Sequence, residues 1–292
     1  MLILSESDIR ARLNMRDLIP AMARALEALS AGKVVQPVRS VIQVKDANGY
    51  MFSMPAYAGG RLGAKLVTYY PSNRDIETHH AMIVLFAGDT GVPTAVLDGR
   101  LITEMRTGAV SAAATDVLAR KNVSVLAILG AGAQARSHLQ ALRLVRAFTD
   151  VRVYSPRGGP EFAAAHGVVN APSAESAVQG ADVIVVATSA TEPALRGAWV
   201  RPGAHICAVG ATRPEWREMD DDLMLRAKLF VESRDAANAE SGDVRAARAI
   251  HAEIGEVFAG SARGRESDEE ITLFKSVGMS VEDIAAAALV VP

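Results

Sequence analysis

The sequence predicts an α/β protein in which a doubly wound parallel sheet is inserted into a second, α+β part. Two observations support this fold class. Between residues 123 and 231, five short apolar runs alternate with helical segments, as buried parallel strands joined by crossover helices require. Between residues 34 and 98, strand-like runs are instead separated by turns that contain glycine and asparagine, which indicates a mostly antiparallel sheet.

The individual elements follow from the spacing of apolar residues. Intervals of three and four predict a helix over the first 30 residues, which Gly32 ends. Strands are then predicted over 41–44, 65–70 and 81–86, and an alanine-rich helix over 107–120. The parallel strands are predicted over 123–129, 151–154, 183–187, 205–209 and 229–231.

The C-terminal segment, residues 271–291, combines a strand or loop with a closing helix. We expect this segment to fold back on the first part of the chain. The predicted domains are therefore residues 1–117 with 271–292, and residues 118–270.

Charge and cysteine content limit the class of protein. The formal net charge is -2, and no dense cluster of lysine and arginine indicates a surface for nucleic acid or an anionic membrane. The one cysteine, Cys207, lies in an apolar run, so we expect no disulfide framework and favour a cytoplasmic location. No signal-peptide pattern or long apolar span is present. We therefore expect a small molecule as the binding partner.

A glycine-rich turn directly follows the first predicted parallel strand. Gly130 permits a tight turn, and Gly132 lets backbone N–H groups approach a pyrophosphate. Together with Ala133 and Gln134, the small Ala135 opens a predicted helix and allows it to pack closely on the strand. The order of strand, turn and helix indicates a Rossmann domain that binds NAD or NADP.

The end of the next strand selects between these two cofactors. Proteins that bind NAD usually have a carboxylate here, which accepts hydrogen bonds from the ribose hydroxyl groups. This chain has Ser155 and Arg157 instead, which suit a phosphate group. The sequence therefore favours NADP(H) and leaves NAD(H) open. Thr188, which follows a later strand, is a further candidate for cofactor binding.

Further motifs extend over nearly the whole chain. They are Ala-Lys at 64–65, Thr-Glu-Met-Arg-Thr-Gly at 103–108, Gly-Ala-Gly at 130–132, Glu-Ser-Gly-Asp at 240–243 and Lys-Ser-Val-Gly at 275–278. In these motifs the chain resembles the ornithine cyclodeaminase/mu-crystallin family. The resemblance implies a homodimer in which the outer segments form the substrate-binding and dimerisation domain. It also implies chemistry at the α-carbon of amino or imino acids, and it places Val277 and Gly278 near the nicotinamide.

One segment distinguishes branches of this family. The stretch from Val209 to Asp220 looks like the ketimine reductase branch, because Thr212 stands where ornithine cyclodeaminases typically carry an aspartate that handles protons. We therefore expect an NAD(P)H-dependent reductase of cyclic ketimines, such as pyrroline- or piperideine-2-carboxylate, that forms cyclic L-amino acids. The alternatives are an ornithine cyclodeaminase that uses NAD⁺, an alanine-type amino-acid dehydrogenase, and a non-catalytic binding protein.

Three cations are the candidate substrate-binding residues: Arg39, Lys65 and Arg106. Guanidinium forks and a lysine ammonium group can clamp the carboxylate of an α-imino acid. Lys65 is also a candidate catalytic residue, because a desolvated lysine can donate a proton. Thr212 is the second catalytic candidate, and we expect it to orient substrate or water, since an unassisted hydroxyl is a poor acid or base.

The sequence predicts no metal site. His79 and His80 are adjacent on a predicted strand, so their side chains point to opposite faces and cannot easily share one ion. The acidic run from Glu218 to Asp222 is interpreted as the start of a helix, where the macrodipole favours negative charge.

Overall fold

The computed structural model describes residues 1–291 and divides into two units. The first unit contains Met1–Arg106 together with the residues from Gly278 onward, and the second contains Thr107–Val277. The first unit holds a mixed sheet, and the second holds a parallel sheet with helices. The predicted fold class, a Rossmann sheet inserted into an α+β part, is confirmed.

The first unit begins with a strand and two helices. Strand β1 is Leu2–Leu4, and it is followed by α1 (Glu6–Arg12) and α2 (Met15–Ser30). Each helix begins at a polar cap, because the side chains of Ser5 and Asn14 accept hydrogen bonds from backbone N–H groups in the first turn. The helix predicted over the first 30 residues is therefore two helices.

The sheet of the first unit has seven strands. After β1 they are β2 (Val34–Val35), β3 (Ser40–Val44), β4 (Gly49–Ala58), β5 (Arg61–Tyr69), β6 (His79–Ala87) and β7 (Pro93–Asp98). The spatial order is β1-β7-β6-β5-β4-β2, and β3 also pairs with β4. Only β1 and β7 pair in parallel, so the sheet is mostly antiparallel, as predicted.

Helix α3 (Arg100–Leu118) follows this sheet and begins seven residues before the predicted helix. The boundary between the two units falls inside α3, at Arg106 and Thr107. Arg106 is therefore assigned to the first unit, whereas the remaining turns of the helix belong to the second.

The second unit contains eight parallel strands. They are β8 (Val125–Leu129), β9 (Asp150–Tyr154), β10 (Val169–Asn170), β11 (Val183–Val186), β12 (His205–Ala208), β13 (Lys228–Val231), β14 (Ile250–Glu253) and β15 (Thr272–Lys275). Their order is β10-β9-β8-β11-β12-β15-β13-β14. The helices of this unit after α3 are α4 (Ala133–Val145), α5 (Gly159–His166), α6 (Ala174–Val178), α7 (Asp221–Arg226), α8 (Arg234–Glu240), α9 (Gly242–Ala246) and α10 (Ile254–Phe258).

The position of β15 corrects one prediction. We expected the C-terminal segment from residue 271 to fold back on the first part, but β15 lies inside the parallel sheet, between β12 and β13. All four of its residues are buried. Since a strand buried on both faces needs hydrogen-bond partners along both edges, the centre of the parallel sheet satisfies β15.

Only the closing helix, α11 (Ser280–Ala287), joins the first unit. It packs against α2 and the strands β4 and β5. Met54 on β4, Lys65 on β5 and Ile83 on β6 lie opposite one another and share one buried face of the sheet. Helix α11 therefore covers the face to which Lys65 belongs.

Candidate functional site

The turn after β8 has the geometry that a dinucleotide requires. Gly130 has φ +116°, and a Cβ atom on it would overlap the carbonyl oxygen of Ala187. Gly132 precedes α4, its side-chain position is open, and no side chain caps the helix. The first N–H groups of α4 are thus open to an anion, with the positive end of the helix behind them.

The residues that open α4 support the same interpretation. Ala135 is fully buried, and its small side chain allows the helix to pack closely. Gln134 has a buried side-chain oxygen with no hydrogen-bond partner among the described residues, whereas Ala133 is exposed. A bound cofactor would supply the missing donor to Gln134. The turn therefore fits a nicotinamide dinucleotide.

The loop after β9 lies beside this turn. The N–H group of Gly130 donates to the carbonyl of Tyr154 at 2.9 Å. A Cβ atom on Gly158 would lie 3.9 Å from that of Ala131. Ser155 is half-buried and Arg157 is exposed, so neither is committed to the core. Both follow β9, the second parallel strand in chain order, whose end in Rossmann domains carries the residues that contact the adenosine ribose. Their roles stay predictions.

Thr188 is held in place by Glu218, a residue that we predicted from the sequence to lie at the start of a helix. Its N–H and hydroxyl groups both donate to Glu218 Oε1, at 2.9 and 2.6 Å. Glu218 is fully buried, and burial raises the pKa of its carboxyl group. The interpretation of Glu218 as part of an acidic helix start was wrong, because α7 is capped by Asp220 and Glu218 faces the interior.

Glu218 is part of a buried ion network with Asp243 and Lys275, which we call the Lys275 network. Lys275 Nζ lies 3.7 Å from Glu218 Oε2 and 3.4 Å from Asp243 Oδ2, and it also donates to the carbonyl of Gly210. Asp243 in turn accepts from the backbone N–H groups of Glu218 and Met219. The network fixes the ends of β11, β12 and β15 relative to one another.

Two further candidates lie near these strand ends. Thr212 is half-buried, and it follows Ala211, one of the two non-glycine residues with positive φ in the described chain. Val277 is buried, and its N–H group donates to Glu232 Oε2 at 2.7 Å. The backbone at Val277 is therefore held by Glu232, and the roles of both residues stay predictions.

The first unit brings the three predicted cations into one group. Lys65 Nζ lies 2.6 Å from Asp283 Oδ2. Arg106 lies 3.1 Å from Asp283 through Nε and 2.6 Å from Glu282 through Nη1. Arg39 donates to the carbonyl of Gly278 at 2.9 Å.

Gly278 connects Arg39 with the rest of this group. It has φ +82°, and a Cβ atom on it would lie 2.8 Å from both terminal nitrogens of Arg106. Gly278 therefore lies flat against the guanidinium group, a position that only glycine can occupy without displacing Arg106. We call Arg39, Lys65, Arg106, Glu282 and Asp283 the cation cluster.

Burial gives Lys65 an unusual acidity. Its side chain is 2% exposed, and desolvation, the largest influence, lowers the pKa of the ammonium group to about 8. Asp283 opposes this shift, whereas the charges of Arg106 and Arg39 add to it. Lys65 is thus protonated at neutral pH but releases its proton far more readily than an exposed lysine.

Sequence reasoning missed Glu282 and Asp283. Acidic residues in the first turn of a helix are common, so the local sequence does not single these two residues out. The available signal was the pair of cations on buried elements, since a buried charge requires a counter-ion. Both carboxylates are fully buried, so they are not a solvated helix start.

A metal-binding cluster and a membrane-spanning helix are both absent from the described residues. No group of three or more histidine, cysteine, aspartate or glutamate side chains is arranged to hold a metal ion within residues 1–291. His79 and His80 lie on β6, and His79 stacks on Tyr69 with ring centroids 4.4 Å apart. In the same residues no helix is long and apolar enough to cross a membrane.

Comparisons with known proteins agree with these features. Residues 1–291 match the ornithine cyclodeaminase/mu-crystallin family. Ketimine reductase mu-crystallin from Mus musculus is 47% identical over 285 residues, which cover 94% of this chain and 90% of that protein.

Two solved structures are similar over almost the full length. Delta(1)-pyrroline-2-carboxylate reductase from Thermococcus litoralis, in complex with NADH and L-proline, has 38% identity and a TM-score of 0.94, and the match covers 99% of this chain and 96% of that one. An archaeal alanine dehydrogenase dimer with bound NAD has 33% identity and a TM-score of 0.92, covering 99% and 94%. The family predicted from the motifs is confirmed, and this chain belongs to the ornithine cyclodeaminase/mu-crystallin family.

Proposed function

We propose that this protein is an NAD(P)H-dependent reductase that converts cyclic ketimines, such as pyrroline- or piperideine-2-carboxylate, into cyclic L-amino acids. The observation that carries the proposal is the charge of the cation cluster. With Lys65 protonated, three cations and two carboxylates leave one net positive charge in a group that is buried except for the half-buried Arg39. One carboxylate of an α-imino acid neutralises it. The names of the similar reductases support the same reaction.

The residues of the chain have distinct tasks in this reaction. Arg39 and Arg106 bind the substrate carboxylate, and their fixed orientation holds the C=N bond in one position. Lys65 donates its proton to the ring nitrogen, since the pKa of about 8 leaves it charged at neutral pH yet acidic enough to act. Thr212 orients substrate or water. A bound nicotinamide would supply the hydride that the imine carbon accepts, so that hydride and the proton of Lys65 together convert the imine to the amine.

The finer choice of cofactor is also a proposal. We favour NADP(H) over NAD(H), because Ser155 and Arg157 follow β9 beside the phosphate-binding turn and no carboxylate is present at 155–158. Arg157 is exposed and thus available to a 2′-phosphate group.

We further propose a homodimer formed through the sheet of the first unit. The face of this sheet opposite Lys65 carries apolar side chains that are open to solvent, among them Ile42, Tyr57, Leu62 and Met82. A face of this kind suits a self-complementary interface, and the similar alanine dehydrogenase is a dimer. We retain a cytoplasmic location as a proposal, which rests on the single cysteine.

A direct assay distinguishes the proposed function from its alternatives. Purified protein is mixed with NADPH or NADH and either cyclic imine, and the loss of nicotinamide absorbance is followed at neutral pH. In parallel, ammonia release from L-ornithine with NAD⁺ and oxidation of L-alanine are measured. We expect rapid oxidation of NADPH by a cyclic imine and no ammonia from ornithine. Ammonia and proline from ornithine without net cofactor turnover would show a cyclodeaminase, and no turnover with any substrate would favour a binding protein.

A further inference from the structure

The first turn of α11 places two adjacent carboxylates on different cations. Asp283 spans Lys65 and Arg106, with one oxygen on each. Glu282 contacts Arg106, and the same oxygen accepts from the N–H group of Met279. Both side chains are fully buried, so neither carboxylate is screened by water. Asp283 therefore contacts Lys65 directly, whereas its neighbour Glu282 contacts Arg106 and the backbone of Met279.

We propose that Asp283 is the positioning residue of the reductase reaction, which holds the ammonium group of Lys65 at its place and in its charged form. This inference rests on the proposed function. Lys65 has four rotatable side-chain bonds, and without a fixed partner its Nζ atom would sample several positions. The 2.6 Å contact with Asp283 Oδ2 selects one of them. The second oxygen of Asp283 is bound to Arg106, which fixes the orientation of the carboxylate itself.

The charged groups around Lys65 determine in which direction its pKa moves when Asp283 is changed. Asp283 on α11 favours the charged form, whereas Arg106 on α3 and Arg39 before β3 disfavour it. His79 on β6 also interacts with the charge of Lys65. If Asp283 loses its charge, burial and the two arginines remain, so the pKa of Lys65 falls below about 8. The proton would then be lost at lower pH, and with it the reaction.

Asp283→Asn tests this inference, because the amide keeps the shape and removes the charge. We expect the decline of kcat at high pH to move to lower pH by about 1 to 3 units, the effect of one close charge. Glu282→Gln is the matched control. It removes an equal charge from the preceding residue, whose side chain contacts Arg106. For Glu282→Gln we expect a higher KM for the imine and a pH profile of kcat like that of the unaltered protein. Equal shifts in both variants, or none in Asp283→Asn, would overturn the proposal.

A second measurement separates this inference from the proposed function. The sequence has six lysines, so NMR of protein labelled at the lysine side chains resolves Lys65, identified by its absence in Lys65→Arg. We expect its titration to move to lower pH in Asp283→Asn, whether or not the protein reduces imines. If Asp283→Asn does not fold, Asp283→Glu keeps the charge but displaces the carboxylate. That variant should lower kcat while the pH profile stays in place, and an unchanged kcat would contradict a positioning role.

Discussion

Lys65 derives its chemistry from burial, not from its residue type. An exposed lysine holds its proton well above neutral pH, but the pKa of Lys65 is lowered to about 8 because its ammonium group lies under α11. Asp283 limits this shift, so that the side chain still carries a proton at neutral pH. Lys65 can therefore both bind a carboxylate and donate a proton.

Arg157 is the residue that tests the cofactor preference. Arg157→Ala removes the charge proposed to pair with the 2′-phosphate, so we expect KM for NADPH to rise about 10- to 100-fold, as the loss of a charge-assisted hydrogen bond implies. KM for NADH should stay the same, because NADH lacks that phosphate. Steady-state kinetics with both cofactors checks this. An equal change for NADPH and NADH would contradict the assignment of Arg157.

Gly130 tests the phosphate-binding turn. Gly130→Ala forces a side chain into a backbone with φ +116° and against the carbonyl of Ala187, so the turn must rearrange. We expect KM for the nicotinamide cofactor to rise about tenfold or more, which cofactor titration measures. Gly167→Ala is the control, since Gly167 also has positive φ in the same unit but has open space around its side-chain position. If both variants bind the cofactor equally well, the turn has no role in binding.

At the scale of elements, the sequence predicted the strands that have a local apolar pattern. It did not predict contacts between residues that are far apart in the chain. The apolar runs identified five parallel strands, since strands buried on both faces have few polar residues. The short β10 and β14 lie at the edges of the sheet and lack such a pattern. Asp283 was not identified from the sequence, because its partner, Lys65, is more than 200 residues away.

The strand β15 shows how one element can support the cofactor site. Its last residue, Lys275, is fully buried and holds Gly210, Glu218 and Asp243 together. Glu218 in turn fixes Thr188. Residues outside the phosphate-binding turn therefore determine the shape of the loops that follow β11 and β12.

Lys275→Met tests this support. The apolar side chain fills the space but takes the ammonium group away from two buried carboxylates, of which Asp243 keeps a contact with Arg217 at 3.3 Å. We expect a loss of about 3 to 5 kcal/mol in the free energy of unfolding. Urea denaturation measures it, and KM for the cofactor should rise in the same variant. Lys121→Met serves as control, because Lys121 is exposed and its pair with Asp116 is solvated. Equal stability of the two variants would rule out a structural role for the Lys275 network.

At the scale of the whole molecule, the net charge of -2 leaves little electrostatic repulsion between two copies of the chain. The first unit covers one face of its sheet with α2 and α11, whereas apolar residues on the other face stay open to solvent. Met82 is 49% exposed and Ile42 is 61% exposed on this open face. Single apolar residues on a surface are ordinary, whereas several of them on one face of a sheet are typical of an interface.

The dimer prediction follows from this face. Met82→Glu places a charge on this apolar face, and a buried, unpaired charge at an interface is costly, so we expect the variant to be monomeric. Light scattering coupled to gel filtration measures the mass, and the unaltered protein should have twice the mass of one chain. Leu225→Glu is the matched control, because Leu225 is at least as open to solvent as Met82 but lies on α7 of the second unit, and it should remain dimeric. A monomeric unaltered protein, or a Met82→Glu variant that still dimerises, would mean that this sheet face is not the interface.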